Sequence, residues 1–265
     1  MYGSFTMARK YLQYLLHAQN GRGHGVHSPF VYAFIREVLM DQQLYPVYLT
    51  AENYRNQLLK DETLLDVQDL GAGSRTGNSR QRRVADIARS AVKPKKYGRL
   101  LYRMAKYYSY NHILELGTSL GVTTTYLSGL GEQAMIRTIE GSEAIASNAA
   151  EHFHREQLHQ VKLIRGHFDE VLSPVLAEMK QVDMAFIDGN HRYEPTMRYF
   201  KDLLKVVPAS GCMVFDDIHW SAGMERAWEE IQTHPSVTVS IDLFFIGLVF
   251  FRPDFYQQQA FTVRF

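Results

Sequence analysis

After residue 110, short apolar runs recur at 112–116, 135–139, 161–164, 184–187, 212–215, 237–241 and 244–251. Segments of helical spacing, roughly 8 to 16 residues long, separate the first six. Strands alternating with helices specify βαβ units, a parallel sheet and right-handed crossovers. The last two runs are joined by a very short link around Asp242. No crossover helix fits there, so these two strands are expected to pair antiparallel. The expected fold is α/β: a doubly wound, mostly parallel seven-stranded sheet with one reversed strand.

Before residue 110 the patterns are mainly helical, at 7–18, 30–40, within 49–60, at 81–92 and at 97–108, with a loop GRGHGVHSP at 21–29. The expected organisation is an N-terminal helical cap or lid over 1–97 and a ligand-binding domain over 98–265. A chain of 265 residues with 46% hydrophobic and 22% charged residues can bury such a core and is not disordered in composition. Its formal net charge of +1 advertises neither nucleic acid nor a membrane. The single cysteine, Cys212, excludes an intramolecular disulfide and suits a reducing compartment. With no signal-peptide pattern and no apolar run near the ~20 residues of a membrane span, the expected location is cytoplasmic.

Two stretches have the form of an apolar strand, an acid and a glycine-broken turn: LLDVQDLGAGSRTG at 64–77 and NHILELGTSLGVTT at 111–124. A turn that holds a nucleotide-like cofactor needs an acid ending the next strand, about 20 residues on, to accept hydrogen bonds from the ribose. Glu140 fills that place for the second turn. The first runs instead into RQRRVADIARSAV, with no strand and no terminal acid. The second turn is therefore the cofactor turn. It lacks the G-x-G-x-x-G of pyrophosphate binders. Glu115 at the strand end would repel a pyrophosphate but suits the ammonium of S-adenosylmethionine. Gly117 and Gly121 shape the turn, and Thr118 and Ser119 offer hydroxyls and N–H groups at a helix start, suited to the methionine carboxylate.

The motifs ILELGTSLG, TIEGSE, IRGHFDE, VDMAFIDGNHRYE and GCMVFDDIHW, in this order and spacing, resemble those of class I S-adenosylmethionine-dependent O-methyltransferases. The resemblance spans about residues 98 to 251 and is closest to the cation-dependent catechol and caffeoyl-CoA types. It implies strand order 3-2-1-4-5-7-6 with the seventh strand antiparallel, in agreement with the hairpin. It also implies adenine contacts from the segment holding His167 and Phe168.

Asp188 ends the fourth run, and Asp216 and Asp217 end the fifth. In a parallel sheet both carboxyl ends share one edge, so these carboxylates form an oxygen-rich cluster suited to Mg²⁺, Mn²⁺ or Ca²⁺. By resemblance, the family's metal pattern is an Asp after strand four and an Asp-Asn pair after strand five; Asp217 stands where Asn is usual. Capping of the following helix is the plainer role for Asp217. His191 stands where the cation-dependent enzymes place a lysine base, and neutral imidazole is accessible near pH 7. Asp188 and His191 are thus the expected catalytic pair. His219 is a second pocket candidate, and either histidine has the alternative of ligating a softer metal.

Residues 75–106 hold eleven Lys or Arg and one acid, Asp86. Solvated helix faces are the simple reading; a lid gripping an anionic acceptor is the sharper one. GHGVHSPF, with His24 and His27, either contacts the site or braces the helices. The expected partner is a small-molecule acceptor, with no nucleic acid and no membrane, and a homodimer is left open. The expected function is O-methylation of a small molecule, with or without a divalent cation. The alternatives are a non-catalytic ligand-binding module and an NAD-dependent oxidoreductase.

Overall fold

The structure, a computed structural model, describes residues 1–19, 21–23, 25–67 and 81–265. It divides into two compact units, Met1–Asp41 with Lys180–Phe265, and Gln42–Met179.

The first unit opens with α1 (Ser4–His17). Met7, Tyr11, Tyr14 and Leu15 share one side of it and pack, with Ala18, against Phe244 and Phe245. In α2 (Pro29–Phe34), Ser28 Oγ accepts from the Val31 N–H at 3.5 Å, and Pro29 occupies the first position, where no N–H is needed. A π turn, Ile35–Leu39, completes the stretch expected as one helix over 30–40. Phe30 and Phe34 set their rings 4.9 and 6.2 Å from that of Phe250. The SPF end of GHGVHSPF thus braces α2; His24 lies outside the described residues.

The second unit begins with α3 (Pro46–Leu58), then β1 (Leu64–Asp66) and β2 (Gln81–Arg83), which pair antiparallel. The helix expected over 81–92 therefore starts three residues late, as α4 (Val84–Ala91). Its first N–H groups, of Val84 and Ala85, donate to the carbonyls of Thr63 and Asp61. The first glycine stretch accordingly lies between two antiparallel strands rather than between a strand and a helix; residues 68–80 are outside the described residues. Next come α5 (Lys95–Tyr107), β3 (His112–Leu116), α6 (Val122–Ser128), β4 (Met135–Glu140), α7 (Glu143–Arg155), β5 (Val161–Arg165) and α8 (Phe168–Met179). β4 pairs parallel with β3 on one side and β5 on the other. Tyr48, Tyr54, Tyr102 and Tyr126 join Leu58, Ile87, Leu120 and Val122 in this unit's core. Residues 42–97 belong to the same unit as 98–179.

The remainder of the first unit is β6 (Met184–Ile187), α9 (Tyr193–Leu203), β7 (Cys212–Asp216), α10 (Ala222–Gln232), β8 (Val239–Asp242), β9 (Ile246–Phe250) and β10 (Gln259–Thr262). β6 and β7 run parallel, and β9 lies antiparallel between β7 and β8. Every residue of β6 to β9 is buried, which explains their unbroken apolar runs. The β8–β9 link is tight because Asp242 Oδ1 accepts from the Phe244 N–H at 2.7 Å, with Phe244 at φ 71. In the numbering of the apolar runs, the units carry the orders 3-2-1 and 4-5-7-6 with the seventh strand reversed, as expected. The additional β10 pairs parallel with β8 and is only partly buried, so no apolar run marks it in the sequence.

Candidate active site

The second glycine turn is built by its backbone. The N–H groups of Gly117 and Thr118 both donate to the Ile139 carbonyl, at 3.0 and 3.1 Å, and Gly121 N–H donates to the Thr118 carbonyl. The chain turns through left-handed residues: Gly117 at φ 106, Ser119 at φ 48 and Gly121 at φ 78. A Cβ on Gly121 would also meet the Phe153 ring at 2.7 Å, so this position needs glycine twice over.

Glu140 ends β4 beside this turn. Its Oε2 accepts from the Ser119 N–H at 2.9 Å and its Oε1 from the Ser142 N–H at 2.8 Å. Burial raises its pKa, opposed by the backbone N–H groups of Ser142, Ser119 and Gly141. A carboxylate has about four acceptor directions, so beside these backbone donors Glu140 can still accept from a hydroxyl.

Glu115 is fully buried. Its Oε2 accepts from Thr124 Oγ1 at 2.5 Å and Thr138 Oγ1 at 2.7 Å, and the Thr118 hydroxyl lies 2.6 Å from that of Thr138. Among the described residues, its Oε1 has no hydrogen-bond partner. Burial raises this carboxyl to about 7; the hydroxyls of Thr124 and Thr138 lower it and the charge of Glu140 raises it. Thr118 therefore serves the buried network through its hydroxyl. Sequence reasoning missed Thr124 and Thr138, which lie outside any strand-end pattern.

In the same unit, Gly166 (φ 143) turns the chain out of β5 with its N–H on the Glu140 carbonyl. His167 Nδ1 accepts from the Asp169 N–H at 3.3 Å, which leaves Nε2 as the ring's donor. The Phe168 ring lies 6.4 Å from it.

In the other unit, the parallel register of β6 and β7 pairs Ile187 with Phe215, which places Asp188 level with Asp216 at the strand ends. Asp188, His191 and Asp216 each bring a ligand atom within 4.8 Å of the others, and His191 Nε2 is 3.6 Å from Asp188 Oδ1. The set gathered is thus two carboxylates and an imidazole. Asp217, expected as the third carboxylate, is not in it: this residue sits at φ 52 with its N–H on the Phe245 carbonyl, where the chain leaves the strand.

His219 does not join the cluster. Its Nε2 is 2.8 Å from Asp242 Oδ2 and its Nδ1 3.0 Å from Glu225 Oε1, and Glu225 also takes Lys10 and the Tyr2 hydroxyl. Burial opposes protonation of this imidazole, but the hydrogen bonds to Asp242 and Glu225 outweigh it and raise the pKa above the ordinary value. A ring that must donate from both nitrogens is a poor base and a good structural cation.

Residues 114–218 match a family described as a methyltransferase domain, a span that includes both the glycine turn and the Asp188 cluster. The uncharacterized protein R132 of Acanthamoeba polyphaga mimivirus is 34% identical over 82 residues, covering 29% of this chain and 36% of that protein. Among solved structures, the methyltransferase PaMTH1 of Podospora anserina, bound to S-adenosylhomocysteine, aligns with a TM-score of 0.59 at 14% identity, covering 95% of this chain and 97% of that one. The O-methyltransferase TomG of Streptomyces achromogenes, in complex with S-adenosylmethionine, aligns with a TM-score of 0.54 at 21% identity, covering 62% and 82%. At these identities the likeness establishes a shared fold.

Proposed function

We propose that this chain is an S-adenosylmethionine-dependent methyltransferase acting on an oxygen of a small molecule in the cytoplasm. The observation that carries the reading is the coincidence of the methyltransferase-domain match with a glycine turn whose Ser119 N–H is already bonded to the strand-end acid Glu140. A ligand-binding module would need the turn but not the cluster of Asp188, His191 and Asp216. A dehydrogenase would need a G-x-G-x-x-G that is absent from the turn.

S-adenosylmethionine supplies a methyl group made electrophilic by its sulfonium. Glu140 binds the ribose hydroxyls; Gly117, Ser119 and Gly121 let the backbone approach; His167 and Phe168 offer an edge donor and a ring to adenine. Glu115 compensates the methionine ammonium through the turn that covers it. Asp188 and Asp216 fit a divalent cation, with His191 adjacent. A cation there would favour the deprotonated acceptor oxygen. An imidazole beside two carboxylates suits Mn²⁺ better than Ca²⁺. His191 Nε2 takes the acceptor proton. The cluster distance also favours a second reading, in which His191 is a ligand. Residues 1–97 serve as a helical cap. An anionic acceptor gripped by the basic stretch draws less support, because Arg83, Arg89 and Arg99 are already paired with Glu62, Asp86 and Glu52.

Calorimetry with S-adenosylmethionine, S-adenosylhomocysteine and NAD tests the reading. The expected result is binding of the first two and not of NAD. Glu140→Ala should weaken it by roughly 1.5–3 kcal/mol for each hydrogen bond lost to the charged acceptor. Undiminished affinity in that variant, or tight NAD binding, overturns the assignment.

A further inference from the structure

The whole-chain charge of +1 conceals a local asymmetry. The first acid in the chain is Glu37; before it stand Arg9, Lys10, Arg22 and Arg36 and no Asp or Glu. Within this segment α1 is apolar on two opposite sides. One side, with Met7, Tyr11 and Tyr14, is packed on Phe244 and Phe245. The other carries Phe5, Leu12 and Leu16, which are 85%, 60% and 78% exposed. At 100° per residue these three fall within about 40° of arc, roughly 150° from the packed side, with Arg9 beside them. Lys10 is committed to Glu225, whereas Arg9 is exposed on the outer side.

Scattered apolar residues on a surface need no explanation, but a stripe of three large ones on one helix does. We propose that the outer face of α1 is a docking surface for an anionic lipid bilayer, with the helix lying in the plane of the headgroups. Two observations select this occupant over a second copy of the chain. Three such side chains offer on the order of 500 Å², short of the ~800 Å² per partner that a standard protein interface takes. A second copy would also bring a second Arg9, and α1 has no acid of its own to pair with it. A bilayer rich in anionic lipid instead supplies an apolar layer for Phe5, Leu12 and Leu16 and negative headgroups for Arg9. The sequence expectation of no membrane partner rests on the charge balance of the whole chain, which averages the asymmetry away. The inference does not depend on the proposed chemistry.

The test is co-sedimentation of the full chain with vesicles of pure phosphatidylcholine and with vesicles in which about one lipid in three is phosphatidylglycerol. The bound fraction should rise roughly tenfold with the anionic lipid and fall on raising salt from ~0.05 to ~0.5 M, as screening requires. Leu12→Asp with Leu16→Asp should abolish binding while the thermal midpoint stays put. Should that double variant fail to fold, Arg9→Glu keeps the apolar stripe and should still reduce binding to the anionic vesicles. Absence of vesicle binding, or binding indifferent to these substitutions, overturns the proposal. So does a dimer in analytical ultracentrifugation that the double variant dissociates, which would assign the face to a second copy.

Discussion

The glycine turn around Gly117 and the cluster around Asp188 both form at the carboxyl ends of buried strands, yet they are held by different kinds of contact. At the turn, Glu140 is fixed by two backbone N–H groups and the loop by carbonyls of the neighbouring strand. Every bond there is specified once the chain enters the left-handed region at Gly117, Ser119 and Gly121. At the cluster, the strands bring Asp188 and Asp216 level, but the third member, His191, is set by side-chain placement across a 3.6 Å gap to Asp188. Backbone bonding makes a preformed cradle; carboxylates facing an imidazole make a site that a cation or a proton completes. On the proposed reading the first serves binding and the second chemistry, and substitutions should separate them.

The largest expected effect is at the cluster. Asp216→Asn and His191→Ala should each lower turnover by roughly 10²-fold or more, while calorimetry finds cofactor affinity within about 0.5 kcal/mol of wild type. The two readings of His191 part at this point. A general base lost as His191→Ala is partly replaced by hydroxide, so the rate should recover as pH rises. A lost ligand should be rescued instead by added Mn²⁺. Full activity of wild type in chelator would remove the cation and leave His191 with Asp188 as a metal-free pair. Loss of cofactor affinity in Asp216→Asn would break the separation altogether.

An intermediate effect is expected at Glu115. Its carboxyl is raised from 4.5 to about 7 by burial, against the hydroxyls of Thr124 and Thr138. A carboxyl whose folded pKa lies above its unfolded value holds its proton more tightly when folded. Its stabilising contribution is complete below about 4.5 and is lost as pH rises through about 7. Glu115→Gln keeps an oxygen for both threonine hydroxyls and does not titrate. Between pH 4.5 and 8 wild type should therefore lose on the order of 1–3 kcal/mol relative to the variant, measured by urea unfolding at each pH. On the proposed reading, in which Glu115 compensates the methionine ammonium, the same variant should bind S-adenosylmethionine more weakly. A pH-independent stability difference would place the carboxyl in water.

These two sites also mark how far the sequence could be read. The strand order, the reversed strand and the choice of glycine turn depend on apolar periodicity and on one spacing, from Gly117 to Glu140, and all are local patterns. Asp188 and Asp216 inherit their places in the acidic cluster from strand ends, and His191 was legible from its place three residues after Asp188, whereas Asp217 was expected there and is not part of it. His191 and Asp217 sit in turns, where one left-handed residue such as Asp217 at φ 52 redirects the chain beyond it. The partners of His219 were illegible for another reason: Glu225 and Asp242 arrive from α10 and the β8 end, and only tertiary packing brings them to one ring. β10 went unread for want of apolar contrast, and the π turn because its apolar spacing reads as ordinary helix.

The smallest effect is expected where the first glycine stretch ends. Of the described residues beside it, those of β2 pair antiparallel with β1, and the arginines of β2 are used locally. Arg83 bonds Glu62 at 2.7 Å and Asp86 at 3.1 Å with about half its side chain exposed, and Arg82 donates to Ser90 Oγ at 3.0 Å. Exposed pairs of this kind contribute at most about 1 kcal/mol, because water and salt screen them and two long side chains lose freedom. Arg82→Glu with Arg83→Glu should therefore lower stability by less than about 1 kcal/mol and leave cofactor affinity and turnover within the usual range of surface changes, about 0.5 kcal/mol. A selective rise in the acceptor KM, with cofactor affinity unchanged, would instead give these arginines a substrate and make the first glycine stretch a lid.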